Sequence, residues 1–389
     1  MRSHDRFARA GRDGDDAGGF RGVVSGDGGR ALRPSLARLD GVFQPAGGGD
    51  ASAGAFPGGG QRPSGSGRAD GGLVGPSGGG GGGGLRFDLN VARDGYAWWY
   101  ADGWSDDGRF GVALIAFVGS VFSPYYARAR RRGDGDPENH VALNVALYGG
   151  ERRWTMTERG RAALTRDAGL LRIGPSSLRR EGDDAVFEID EVSVPFPRRV
   201  RGTVRIRPEA MPGTAFALDA AGAHRWTPFA PRARIEVDLR DPGIAWSGPG
   251  YLDGNSGDEP LERGFARWEW ARAETGRGTS VTYDAVRRDG SIFALAKRFE
   301  AGGMSDFAAP APVPLRATGW RIARSIRADA AGSARVAATI EDTPFYARSR
   351  IDSVWSGIPV RATHESLSLD RFDSAWVRTL LPFRMPRRA

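Results

Sequence analysis

The chain has 389 residues, a formal net charge of +8, four histidines and no cysteine. That length allows two ordinary domains, and the missing thiols exclude a disulfide framework, a thiolate metal site and a cysteine nucleophile. His4, His140, His224 and His364 are far apart, with no HExxH or His-x-His pair, which argues against a zinc or non-haem iron centre. The positive charge is arginine scattered among acids, so no concentrated basic stripe with interleaved aromatics points to nucleic acid. Two basic clusters stand out, Arg128 to Arg132 and Arg384 to Arg388, and both suit lipid headgroups. No apolar run has the length of a transmembrane helix, and Met1 to Arg6 lacks the apolar core of a secretory signal, so the expected location is the cytoplasm.

Residues 1–84 are Gly-rich and end in the unbroken run Gly78 to Gly84. Without hydrophobic periodicity they bury too little apolar surface to offset their ordering entropy. They read as a disordered extension, or in part as a mis-chosen start codon. Order is expected from Leu85. Tyr96 to Tyr100 is aromatic and β-prone, Asp106-Asp-Gly108 is a hairpin turn, and Arg109 to Val118 is a buried strand. Val141 to Tyr148, Arg152 to Thr157, Ala185 to Val194, Val200 to Arg207 and Arg232 to Leu239 continue the series. Several alternate with period two, one face wet and one dry. Beyond a Gly-rich acidic loop come Trp268 to Ala273, Thr279 to Arg287, Ser291 to Phe299, Trp320 to Ile326, Ala334 to Glu341, Phe345 to Arg350 and Val360 to Leu369. Ala309 to Leu315 is a Pro-rich loop, and Phe372 to Pro386 a short helix packed on the rim. Regular strands without convincing amphipathic helices predict an all-β sandwich or barrel in two units, divided near Asp241-Pro242.

One stretch, His224-Arg-Trp226 through Tyr251-Leu-Asp253 to Asp258-Glu259, gathers a histidine, aromatics and carboxylates. Asp253, flanked by glycines, is either a buried acid or an Asp that caps a turn. His224 either handles a proton and orients water or is a structural histidine at a strand start. Trp226 and Tyr251 either flank a cation or pack a core. Asp258 and Glu259 are runner-up acids with a more ordinary role in fixing the loop. His140 reads as a strand cap. Trp98-Trp99 and Phe117 to Tyr126 line either a core or a ligand tunnel.

Several segments together resemble the carotenoid 1,2-hydratases, or hydroxyneurosporene synthases, of phototrophic bacteria. They include Gly95-Tyr-Ala-Trp-Trp-Tyr100, Ile115 to Ala127, Asn139 to Tyr148, Arg153 to Arg159, His224-Arg-Trp226, Gly250-Tyr-Leu-Asp253, Gly257 to Leu261, Glu341 to Arg348, His364 to Phe372 and Pro382 to Pro386. The resemblance runs from about residue 90 to the end, and the Gly-rich head has no counterpart in it. It implies a lipocalin-like, calycin-type architecture: an N-terminal β domain over 85–240, a C-terminal β-barrel domain over 241–389, and an apolar pocket between or within them. It implies a cofactor-free reaction, the addition of water across the C1–C2 double bond of an acyclic polyene such as neurosporene or lycopene. It also matches Asp253 to the family's proposed catalytic aspartate and raises the functional reading of His224, Trp226 and Tyr251. Glu341-Asp342 and His364-Glu365 match as supporting or packing residues.

Hydrating a trisubstituted alkene needs an acid able to protonate carbon, aromatic faces that tolerate the tertiary cation, and a water. A desolvated Asp253 meets the first need. A polyene of this kind dissolves in hydrocarbon, so peripheral contact with the inner, photosynthetic membrane is expected. Two other functions fit the same scaffold, a pericyclase or terpenoid cyclase that uses the pocket for shape, and a non-catalytic carrier of a hydrophobic ligand.

Overall fold

The computed structural model describes residues 84–388. The disorder expected for residues 1–84 therefore falls, Gly84 apart, outside the described residues. In chain order the first elements are β1 (Tyr96–Trp104), β2 (Gly111–Val118), helix α1 (Pro124–Arg131), β3 (Val141–Tyr148), β4 (Arg153–Arg159), β5 (Leu164–Arg166), β6 (Leu170–Ile173) and β7 (Ser176–Glu181). β8 (Asp184–Val192), β9 (Arg199–Ala210), β10 (Phe216–Ala217), β11 (His224–Asp241) and β12 (Ile244–Gly257) follow. After the short helix α2 (Leu261–Gly264) come β13 (Phe265–Thr275), β14 (Gly278–Arg287), β15 (Ile292–Glu300), β16 (Gly303–Asp306), β17 (Pro312–Leu315) and β18 (Arg324–Arg327). The chain closes with β19 (Arg335–Asp342), β20 (Tyr346–Trp355), β21 (Ile358–Ser368), helices α3 (Leu369–Phe372) and α4 (Ala375–Leu380), and β22 (Arg387–Arg388).

The first sheet runs β22-β4-β3-β2-β1-β12-β11-β9-β8-β7-β6-β5, with β10 beside β11; the second runs β16-β15-β14-β13-β21-β20-β19. Nearly every neighbour is antiparallel and most are joined by short turns, the up-and-down connectivity of lipocalin-like units. The first sheet curls on itself, so that Val194 N–H, just after β8, donates to Trp154 O on β4 at 3.0 Å.

Period-two alternation on the central strands decides the layers. On β1, Ala97, Trp99 and Ala101 point into the first sheet's own interior with Leu114, Val145, Phe187 and Ile235. Tyr96, Trp98, Tyr100 and Trp104 point the other way, against Trp268, Trp270 and Tyr283 of the second sheet. The outer face of the first sheet is thus aromatic because it is buried too. The far face of the second sheet packs Ile351, Trp355 and Ala362 under the β17–β18 ribbon.

The all-β expectation holds, and most strands start and stop within a few residues of the sequence reading. Three differences matter. First, the expected acidic loop after residue 248 is strand β12, paired on one side with β1 and on the other with β11. Its glycines mark close approach rather than turns: a Cβ on Gly248 would lie 1.9 Å from Trp104 O, and one on Gly254 2.8 Å from both Trp98 O and the Phe229 ring. Second, residue 240 is the last but one of β11, β11 and β12 pair with each other in the first sheet, and the strands of the second sheet begin at Phe265. Third, α1 lies in the stretch read as core or tunnel lining. Its signal is Ser123, whose Oγ accepts from Tyr125 N and Tyr126 N, with Pro124 at the first helical position.

Candidate active site

Between the two sheets lies a cavity of about 460 Å³. Its walls come from alternate positions of β1, β2, β12, β13, β14, β20 and β21, and α4 with the segment after it lies on one side. Trp98, Tyr100, Trp268, Trp270 and Tyr283 supply the aromatic faces, and Asp253 is one of the few acids among them.

Asp253 sits mid-strand, opposite Tyr100 across the β1–β12 ladder, and is 3% exposed. Trp226 Nε1–H and the Tyr251 hydroxyl both donate to its Oδ2, each at 2.7 Å. Oδ1 takes no hydrogen bond from the described residues. Burial pushes the carboxyl up from 3.8 to about 7, and the negative charges of Glu365 and Asp102 add to the rise; the two hydrogen bonds oppose it. Because Oδ2 already accepts two donors, the retained proton belongs on Oδ1, the oxygen left for the cavity.

The other residues expected at the site fall into two groups. Trp226 and Tyr251 are fully buried but do not line the cavity; they hold Asp253 from behind. Trp226 packs among the tilted or edge-on rings of Phe216, Tyr283 and Phe299, and Arg272 lies over the Tyr251 ring. The faces open to a ligand belong instead to β1, β13 and β14. His224, at the first position of β11, is also buried and outside the cavity wall. Its Nδ1 is 2.9 Å from the Tyr96 hydroxyl, and its Nε2 lies 3.5 Å from Glu259 Oε1 without a well-aligned hydrogen bond. Burial lowers its pKa, against the pull of Asp219 and Glu259. Gly257 and Gly264 cradle the ring, and a Cβ on Gly264 would stand 2.4 Å from Nε2. His224 therefore reaches Asp253 only through the strand that carries Trp226. Asp258 pairs with Arg225 and Glu259 with His224 and Arg263, all away from the cavity.

Of the supporting residues, Glu365 and Glu341 line the cavity, whereas His364 points to the opposite face of β21, where its Nε2 contacts Ser325 O at 2.7 Å and burial lowers its pKa to about 4. His140 is buried against Glu158, its Nδ1 2.8 Å from Oε1. No local pattern in the sequence marks the charge network around Arg348, which also lines the cavity. Arg348, 1% exposed, donates to Asp102, to Glu365 and to the Tyr100 hydroxyl, and Arg272 donates to the other oxygen of Asp102 at 2.9 Å. The two arginine–aspartate contacts make burial of these three ions tolerable. Asn255 and Trp270 also line the cavity, and each keeps a buried N–H group without a partner among the described residues. Asn255 was legible in principle, being two residues from Asp253 on the same strand face. Arg348 and Asp102 were not, because 246 residues separate them.

A sequence model described as carotenoid hydratase CrtC matches residues 114–389. The chain belongs to that family. It is 50% identical over 376 residues to an acyclic carotenoid 1,2-hydratase of Thiocapsa roseopersicina, covering 96% of this chain and 93% of the relative. It is 50% identical over 395 residues to the protein of that name from Rubrivivax gelatinosus, covering 100% and 97%. A third of the same name, from Cereibacter sphaeroides, is 39% identical over 277 residues, 71% of this chain and 98% of the relative. The Rubrivivax alignment takes in the whole chain, so the Gly-rich head is not without a counterpart in the family, as the sequence reading had expected. Among the described residues no helix is long and apolar enough to cross a membrane.

Proposed function

We propose that this member of the carotenoid hydratase family adds water across the C1–C2 double bond of an acyclic polyene, with Asp253 as the proton donor. The observation that carries the assignment is a buried carboxyl, held by two donors on one oxygen and raised to about 7, at the wall of an aromatic cavity. The proton passes from Asp253 Oδ1 to C2. The π electrons form the new C2–H bond and leave C1 as a tertiary cation. The rings of Trp98, Tyr100, Trp268, Trp270 and Tyr283 face the space in which that charge develops, where cation–π attraction contributes about 0.5–2 kcal/mol per ring. Water attacks C1 and returns one proton to the Asp253 carboxylate, which restores the acid and gives the tertiary alcohol. Asn255 and Trp270 line the cavity and each keeps an N–H group without a partner among the described residues, which suits them to hold that water.

In this reading Trp226 and Tyr251 are positioning residues. They fix the rotamer of Asp253 and define which oxygen carries the proton. His224 positions the start of β11 through Tyr96. The polyene is drawn from a hydrocarbon phase, so peripheral contact with the bilayer belongs to the same proposal. The test is expression of the full chain in cells that accumulate lycopene or neurosporene, followed by mass spectrometry of the pigments. A gain of one or two waters is expected; unchanged polyene from well-expressed protein sinks the reading.

A further inference from the structure

The chain after β21 carries two sets of apolar side chains, one buried and one exposed. Val377, Leu381 and Met385 are buried against the cavity wall, while Trp376, Leu380 and Phe383 are 47%, 43% and 73% exposed. Trp320, 39% exposed, stacks on Trp376 with centroids 6.2 Å apart. Trp320, Leu380 and Phe383 also line the cavity, so the exposed patch and the cavity form one continuous apolar surface. Such a contiguous patch on an otherwise charged protein marks a contact.

Charge says what kind. Arg128, Arg131 and Arg132, at the end of α1, are exposed, and none pairs with a carboxylate among the described residues. Phe122, two residues before α1, lines the cavity and packs edge-on against Phe372 of α3, and Arg130 pairs with Glu262 of α2 at 2.6 Å, which sets α1 beside the helices that lead into the patch. Arg321, next to Trp320, is exposed as well. An aromatic patch edged with unneutralised arginines matches the interface of an anionic bilayer, where tryptophan rings sit at headgroup level and cations meet phosphates.

We propose that this face, Trp320, Trp376, Leu380 and Phe383 with the arginines of α1, docks on a bilayer containing anionic phospholipid, so that polyene passes from hydrocarbon to cavity without crossing water. The proposal rests on the polyene reading above. It adds the face and the lipid charge. Trp376 is the probe because it is exposed but does not line the cavity.

The experiment is co-sedimentation of the full chain with phosphatidylcholine vesicles, with and without phosphatidylglycerol, at low and high salt. Turnover of detergent-dispersed lycopene is followed in parallel. Wild type should bind the anionic vesicles and release at high salt. Trp376→Ser should weaken partitioning roughly tenfold or more, and Arg131→Gln with Arg132→Gln roughly fivefold per arginine at low salt, with turnover in detergent unchanged. Equal binding of variants and wild type, or no binding of wild type, overturns the proposal. So does a dimer in analytical ultracentrifugation that Trp376→Ser dissolves while vesicle binding is absent, since the patch then serves a second copy. Failure of the polyene reading shows separately, as absence of hydrated product in detergent.

Discussion

Replacing Asp253 with asparagine removes one titratable proton and little else. The Asn Oδ1 can still accept from Trp226 Nε1 and the Tyr251 hydroxyl, which leaves the amide nitrogen toward the cavity, so shape and both hydrogen bonds survive. Two consequences follow. Turnover should fall by at least about 10²–10⁴-fold, the usual contribution of a general acid, because no other group in hydrogen-bonding contact with Asp253 can protonate carbon. Stability should change with pH. A carboxyl raised from 3.8 to about 7 binds its proton more tightly in the folded chain. Its contribution is therefore fully present below pH 3.8 and is lost as the pH rises to about 7. At about 1.36 kcal/mol per pH unit the loss is roughly 4 kcal/mol, undiminished by solvent because the group is buried. The asparagine chain carries no such loss. Urea unfolding of both proteins at pH 5 and pH 8 reads the difference: wild type should weaken relative to Asp253→Asn by a few kcal/mol on going to pH 8. A fully active Asp253→Asn refutes the proton-donor role. Parallel stabilities at the two pH values refute the buried neutral acid even if activity is lost.

Three further predictions test the surroundings of Asp253. Tyr251→Phe removes a donor that lowers the Asp253 pKa, so the alkaline limb of the wild-type profile of kcat/KM, expected near pH 7, should move to higher pH while kcat falls; an unmoved limb denies Tyr251 that role. Arg348→Met should cost about 3–5 kcal/mol in thermal or urea unfolding, because Asp102 and Glu365 then lose a buried counter-ion, and adding Asp102→Asn should recover part of it; a loss below 1 kcal/mol would show the network to be dispensable. Gly264→Ala forces a methyl to within 2.4 Å of His224 Nε2 and should destabilise by about 1–3 kcal/mol, with the His224 imidazole displaced in NMR chemical shift; an unperturbed resonance contradicts the tight cradle.

Much of this was legible from local pattern. Alternation in Tyr96 to Tyr100 and the continuous apolar run at Ala113 to Val118 mark strands, since side-chain period follows from backbone geometry alone. Asp253 itself stood out beside Tyr251, but its surroundings were misread. Gly248, Gly250 and Gly254 signalled a turn by composition, and only the packing of β1 and β11 on either side shows them to be sites where no Cβ fits.

The sequence by itself determined the all-β class, the family, and the candidacy of Asp253, Trp226, Tyr251 and His224. Only the tertiary structure decided which of them meet. Trp226 is 27 residues from Asp253 and donates to it; His224, two residues before Trp226, turns to Tyr96 instead. The cavity's aromatic faces, and the Arg348–Asp102 pair that brings Arg348 to its wall, join strands of two different sheets. Contacts across such separations depend on how the sheets curl and stack, a property of the whole packed chain that no window of sequence contains.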